Sequence, residues 1–200
     1  MGEDEHGRHG HGEGRMHGYS VMDDGERRKI MDPDVILPMI GLKSGMTFVD
    51  VGCGSGFFAI PAARIVGEEG TVHGIDIDGR ALEFLRWKAS NAGLKVITLQ
   101  GEAESTLVCR GCADIVFFGI CLHDFEDPRE VLKNARRMLR PGGAVVDLDY
   151  KKVETESGPP MWKRLSEEDA TRLIEGADFK IASVEDLSRV LYLIVARKDR

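Results

Sequence analysis

Asp50, Gly52, Gly54 and Gly56 stand at two-residue intervals in FVDVGCGSGF, residues 48–57, where an apolar run from Met46 to Val51 meets a glycine-rich turn. Three such glycines permit positive φ and let backbone approach a ligand closely. A helix opening at Phe57 would add free N–H groups and the positive end of its dipole. A carboxylate delivered at the end of an apolar strand is expensive to bury unless something pairs with it, so Asp50 should have a partner. Together these residues suit a small molecule bound at the carboxyl end of a strand.

Spacing narrows the ligand. The dinucleotide fingerprint needs Gly-x-Gly-x-x-Gly, but counting from Gly52 gives Gly54 and then Phe57. A phosphate-cradling Gly-Lys-Ser/Thr ending is also absent. Other polar residues collect at later strand ends, where ligands of open α/β sheets bind. Asp76 closes GIDID about 20 residues beyond the turn, where an acid can accept hydrogen bonds from both hydroxyls of a ribose. Ile77 follows it, and Asp78 is free to cap the next helix. Glu102 and Ala103 follow a third strand, Gly119 and Ile120 end a fourth, and His123 and Asp124 lie on the turn after that.

These elements alternate. Strands are expected over Met46–Val51, Thr71–Asp76, Val96–Gln100, Asp114–Ile120 and Ala144–Asp149, with helices over Phe57–Val66, Arg80–Asn91 and Pro128–Leu139. Pro141-Gly142-Gly143 should stop the last of these helices and turn the chain into the fifth strand. Near-continuous apolar strands between amphipathic helices imply a parallel sheet covered on both faces. A short helix is expected over Pro33–Ile40, placed to flank the cleft as a lid. Another runs from about Glu167 to Gly176 behind Ser166 as N-cap. Strands Lys180–Glu185 and Val190–Arg197 are too close for a parallel crossover and must pair antiparallel.

The stretch Asp-x-Gly-x-Gly-x-Gly, Asp50 to Gly56, resembles motif I of the class I S-adenosylmethionine-dependent methyltransferases. The strand-four region DIVFFGICLHDFEDP resembles their motif IV, LRPGGAVVDLD resembles their entry into strand five, and the late antiparallel strand fits their topology. The resemblance covers roughly Lys43 to Tyr150 and, more weakly, the chain through Arg197. It is nearest to the small, uninserted type related to ubiquinone and menaquinone biosynthesis. It implies a three-layer α/β sandwich whose seven-stranded, mostly parallel, Rossmann-like sheet has one antiparallel strand near the C-terminus. The implied cofactor is S-adenosyl-L-methionine, held by Asp50, Gly52, Cys53, Gly54, Gly56, Phe57, Asp76, Ile77, Glu102, Ala103, Gly119 and Ile120. In that pattern Glu102 and Ala103 read the adenine amino group, and the Gly119 and Ile120 carbonyls meet the cofactor's ammonium. His123 and Asp124 face the transferable methyl, His123 as base or substrate orienter.

The implied reaction is in-line methyl transfer to a small molecule. Asp147, Asp149, Tyr150, Lys151 and Trp162 are positioned to shape the substrate pocket. A cofactor-binding protein of the same fold without turnover is the alternative, and a nucleotide-dependent oxidoreductase is a third, weaker one. Cys53 and Cys121, at the ends of neighbouring strands, raise an arsenite-type methyltransferase as a further alternative. The Cys109-x-x-Cys112 pair, at the opposite edge, is one pair short of a zinc site, which leaves a surface disulfide or free thiols.

Composition sets the outer bounds. Two hundred residues with 42% hydrophobic content fit one domain, here 29–200, behind a flexible His- and Gly-rich tail over 1–28. His6, His9, His11 and His17 lie in that tail without a ligand spacing that would build a folded metal site. A net charge of −7 and a pI near 5.4 argue against a nucleic-acid partner. No apolar run reaches a membrane span and none resembles a secretion signal, so a cytoplasmic protein is expected. Asn91, Asn134 and Gln100 are the only amide side chains, a composition suggestive of a thermophile.

Overall fold

Six parallel strands and one inverted one account for the frame of the computed structural model, which describes residues 24–199. The histidines of the tail lie outside the described residues. The strands are β1 (Thr47–Val51), β2 (Thr71–Asp76), β3 (Ile97–Gln100), β4 (Ala113–Gly119), β5 (Leu139–Tyr150), β6 (Phe179–Asp186) and β7 (Leu191–Lys198). The helices are α1 (Asp24–Ile30), α2 (Pro33–Met39), α3 (Ala59–Val66), α4 (Gly79–Asn91), α5 (Pro128–Met138) and α6 (Glu167–Glu175). One seven-stranded sheet results, ordered β3-β2-β1-β4-β5-β7-β6, in which β7 runs antiparallel to both β5 and β6. The chain starts at β1, winds outward to β3 and returns to β4 on the other side of β1. The carboxyl ends of β1 and β4 therefore meet at the switch point where ligands of such sheets bind.

Side chains alternate between two buried cores, one on each face. Phe48, Ile115, Phe117, Val146 and Leu148 point into the core covered by α2, α3 and α4. Val49, Val51, Val116, Phe118, Val145 and Ile194 point into the core under α5 and α6. Phe117 packs between Phe58 and Phe48, with ring centroids at 4.7 Å and 5.7 Å. Helix starts follow local chemistry: Asp32, Asp78, Asp127 and Ser166 each accept a backbone N–H from the first turn they precede.

Three boundaries differ from the sequence reading for reasons of tertiary structure. α3 begins at Ala59, not Phe57, because Phe57 and Phe58 are still in the turn; Phe58 gives no side-chain cap, and the Ala59 N–H instead favours the ionised Asp50 carboxyl on β1. Pro141-Gly142-Gly143 is not a connection between elements. α5 ends at Met138 and Leu139 already pairs with Ala113, whereas Ile115 pairs with Ala144, so the Pro-Gly-Gly segment is a bulge within β5. Residues 24–28, assigned by sequence to the tail, lie in helix α1. Among the described residues no helix is long and apolar enough to cross a membrane.

Candidate functional site

The turn after β1 is fastened to the end of β2. The Gly52 and Cys53 N–H groups both donate to the Ile75 carbonyl, at 2.8 Å and 3.1 Å. Asp76 locks the turn from the other side: its Oδ2 accepts the Gly54 N–H at 2.7 Å and its Oδ1 accepts the Asp78 N–H at 2.9 Å. Each carboxylate oxygen keeps a second lone pair for a ligand. Gly54 itself has φ of 49° and nothing within 4 Å of where a Cβ would stand, so the turn presents bare backbone to open space there. Ile77, 69% exposed, lies beside it as an unpartnered apolar face.

Asp50 is only 2% exposed, and its Oδ2 has no hydrogen-bond partner. Burial pushes its carboxyl up to about 8, the Asp76 charge adding to the rise, while the Ala59 N–H and Arg27 oppose it. Arg27 reaches the turn from α1, with its guanidinium carbon 4.0 Å from the Phe57 ring centroid. Desolvation holds that guanidinium below its ordinary value.

The strand-three end is anchored by residues that sequence reasoning did not select. The Asn134 amide on α5 donates to the Ala103 carbonyl at 2.9 Å and the Thr106 carbonyl at 2.7 Å. Gln100 donates to the Ile77 carbonyl at 3.1 Å. Their signal was visible as two of the chain's three amides, one of them buried in an amphipathic helix. Ala103 is buried, whereas the Glu102 side chain is exposed and its backbone carbonyl accepts the Ser105 and Thr106 N–H groups. Ile120 has φ of 62°, a left-handed conformation that a β-branched residue adopts at a cost of about 1–3 kcal/mol. Its N–H donates to the Leu148 carbonyl at 2.8 Å, which holds Gly119 and Ile120 at the switch point.

His123 does not face an open cleft; its imidazole is fully buried. Nδ1 lies 2.6 Å from Asp149 Oδ2, and Nε2 lies 3.4 Å from Asp124 Oδ2 without a hydrogen bond. Asp124 in turn pairs with Lys163 at 2.9 Å. The result is a chain of polar groups from β5 to the surface. Asp147 lies on the same face of β5, buried, with Oδ1 unpartnered and Oδ2 accepting the Tyr192 hydroxyl at 3.3 Å. Burial, and then the neighbouring Asp149, push its carboxyl well above the ordinary range.

Of the side chains expected to shape a substrate pocket, Asp147, Asp149 and Tyr150 are therefore buried. Lys151 is engaged by Asp186 and by Glu167 at 3.3 Å. Trp162 alone is open, 78% exposed. The connection 151–165 is ordered around Arg164, which is buried and donates to the carbonyls of Pro159, Lys151 and Val153.

The thiols of Cys53 and Cys121 do not converge, contrary to the expectation from their strand ends. Cys53 enters the core on the α3 and α4 face, against Gly74 and Leu85, whereas Cys121 enters the opposite core and approaches the Val51 carbonyl at 3.1 Å. Burial raises both thiols above their ordinary values. Cys109 and Cys112 form a disulfide with Cα atoms 6.0 Å apart, next to the carboxyl end of α5. Among the described residues no group of three or more His, Cys, Asp or Glu side chains could hold a metal ion.

A parallel sheet with one inverted strand, a glycine turn after its first strand and an acid locking that turn defines the class I methyltransferase fold. The chain belongs to the family described as "Methyltransferase domain", whose model matches residues 42–191. It is 34% identical over 125 residues to the demethylmenaquinone methyltransferase of Staphylococcus aureus (strain MRSA252), covering 62% of this chain and 51% of that protein. The chain spans about half the length of the curated relatives it matches. Among solved structures, a SAM-dependent methyltransferase from Aquifex aeolicus is 30% identical, covers 88% of this chain and 94% of its own, and superimposes with a TM-score of 0.83. The [4+2]-cyclase SpnF shares the fold at 19% identity, with a TM-score of 0.75 over 92% of this chain and 86% of its own. The cofactor indicated by the family and by the Aquifex structure is S-adenosylmethionine.

Proposed function

We propose that this protein transfers a methyl group from S-adenosylmethionine to a small-molecule acceptor. The observation that carries this reading is a locked acid and an orphaned one on either side of the glycine turn. Asp76 is fixed by Gly54 and Asp78 with lone pairs to spare, and Asp50 keeps a buried oxygen with no partner. The first suits the hydroxyls of a ribose; the second suits a cationic group. Gly52, Cys53, Gly54, Gly56 and Phe57 supply the backbone between them, with Ile77 as an apolar face for the base. Glu102 and Ala103 lie at the adenine edge, and Gly119 and Ile120 at the amino-acid end.

When bound, the cofactor supplies an already activated methyl, so the protein's work is alignment, an effect that reaches ~7–11 kcal/mol in well-oriented systems. Asp149 holds His123 through Nδ1, which leaves Nε2 as the nitrogen directed at Asp124. His123 first orients the Asp124 turn. It takes a proton from an acceptor only when the Asp124 and Lys163 pair parts. The name of the S. aureus relative supports a small apolar acceptor, and the exposed Met161 and Trp162 in the connection after β5 suit one.

The buried His123 ring favours one second reading, a protein that binds the cofactor without turnover. Incubation with methyl-labelled cofactor and a panel of small metabolites separates the two. Label in a small acceptor supports transfer. Tight binding with no label transferred to any small or macromolecular acceptor of a cell extract would overturn the enzyme reading.

A further inference from the structure

The connection 151–165 carries an aromatic ring and a cation side by side. Its path is fixed from within by Arg164, whose guanidinium donates to the carbonyls of Pro159 at 2.7 Å, Val153 at 2.8 Å and Lys151 at 3.1 Å. The two residues before that anchor are turned outward. Trp162 is largely exposed, and the Lys163 ammonium lies 5.8 Å from its ring centroid. A planar apolar face and a positive charge are thus presented together by a loop that is already ordered.

Asp124 stands between this cation and the buried His123. Its Oδ1 accepts from Lys163 Nζ at 2.9 Å, while its Oδ2 lies 3.4 Å from His123 Nε2 without a hydrogen bond. Nδ1 of the same ring is engaged by Asp149 at 2.6 Å, so the unpartnered Nε2 is the incomplete contact of the group, and a buried polar atom left unpaired is costly. Asp124 belongs to the same three-residue turn as His123, Leu122–Asp124, which limits how the two adjacent side chains align. A carboxylate arriving from solvent has no such tether and can meet both the ammonium and Nε2. The pair it would replace is open to water, with the Lys163 and Asp124 side chains 28% and 22% exposed, and ion pairs in that setting are weak enough to exchange.

We propose that Lys163 is a specificity residue for a carboxylate on the methyl acceptor, and that Asp124 holds the place of that carboxylate until the acceptor binds. The apolar body of the acceptor lies on Trp162, its carboxylate takes Lys163 Nζ and His123 Nε2, and Asp124 turns outward. The proposal rests on the small-molecule acceptor reading above and deepens it by naming the class, a small apolar or aromatic acid. A neutral acceptor does not replace the ion pair that it breaks, and a cationic one is repelled by Lys163. Lys163 acts on recognition of the acceptor and has no part in the transfer step.

Benzoate and benzamide, nearly equal in shape and different in charge, test it by calorimetric titration of the full chain saturated with S-adenosylhomocysteine. The wild type should bind benzoate at least about tenfold more tightly than benzamide, the scale of one hydrogen bond between ionised partners. Lys163→Gln should weaken benzoate by about tenfold and leave benzamide within about threefold, whereas Lys163→Arg, which keeps the charge, should retain most of the preference. Asp124→Asn removes the competing carboxylate and should tighten benzoate by about two- to fivefold, the weight of a partly exposed ion pair. Unchanged or weaker benzoate binding in Asp124→Asn would overturn the proposal, since a residue that merely props the site does not compete with the ligand. Equal affinities for the two probes in the wild type, a preference that survives Lys163→Gln, or no saturable benzoate binding at millimolar concentration would overturn it too. Thermal melts of the variants check that the fold is intact, and the wild-type comparison needs no variant. If the wild-type chain does not bind S-adenosylhomocysteine, the cofactor reading itself fails, an outcome distinct from a failure at Lys163, which the two probes then decide without it.

Discussion

Asp50→Asn should make the ligand-free protein more stable at alkaline pH while weakening its hold on the cofactor. The carboxyl stands near 8 in the folded chain against an ordinary 3.8, chiefly through burial. Between those two values the native state binds the proton that the unfolded state has released. Stability contributed by this group is therefore present below about pH 4 and is lost progressively as pH rises toward 8. A gap of roughly four pKa units corresponds to an upper bound on the order of 5 kcal/mol at about 1.4 kcal/mol per unit. Asparagine keeps the shape and does not ionise. Denaturant unfolding at pH 4, 6 and 8 should show the wild-type chain losing several kcal/mol that the variant retains, the two being nearly equal only near pH 4. Saturating S-adenosylhomocysteine should stabilise the wild type far more than the variant, because its ammonium pairs with the ionised form. Parallel pH profiles for wild type and variant would refute the buried, raised carboxyl and its proposed role together.

Three further expectations follow from single contacts. Asp76→Ala removes the acceptor for the Gly54 and Asp78 N–H groups and should weaken S-adenosylhomocysteine by at least about tenfold, with about 1–2 kcal/mol of lost stability, measured by titration and unfolding. Asn134→Ala frees the carbonyls of Ala103 and Thr106 and should cost about 2 kcal/mol, read by unfolding, with protection of the 101–108 amides lost in hydrogen exchange. Reducing the Cys109–Cys112 disulfide, which closes a very short loop, should cost at most about 2 kcal/mol and leave cofactor affinity unchanged, because the bridge sits at the amino end of β4.

What was legible in the sequence was local. The glycine turn, the acid at Asp76, the caps at Asp78 and Ser166 and the antiparallel closing strands all announce themselves within a few residues. The misses have long-range causes. The Pro-Gly-Gly segment reads as a helix stop, but its bulge depends on the pairing of Leu139 with Ala113 in another strand. The start of α3 reads as Phe57 because Phe57 and Phe58 suit a helix, yet both are held in the turn and the helix opens only at Ala59, whose N–H favours the ionised Asp50 on β1. Cys53 and Cys121 do end neighbouring strands, but they part to opposite faces because the backbone turns left-handed at Gly52 and at Ile120. Arg27 lay hidden in a polar stretch whose helix contributes no buried residue and so has no apolar period to detect.

Calorimetric titration of the wild-type chain with S-adenosylhomocysteine, with the reduced nicotinamide cofactor as control, tests the central claim most directly. One binding site for the first ligand and none for the second is the expected result. No heat or competition with the first ligand, or saturable binding of the nicotinamide cofactor at the Asp50 to Gly56 turn, would contradict the assignment.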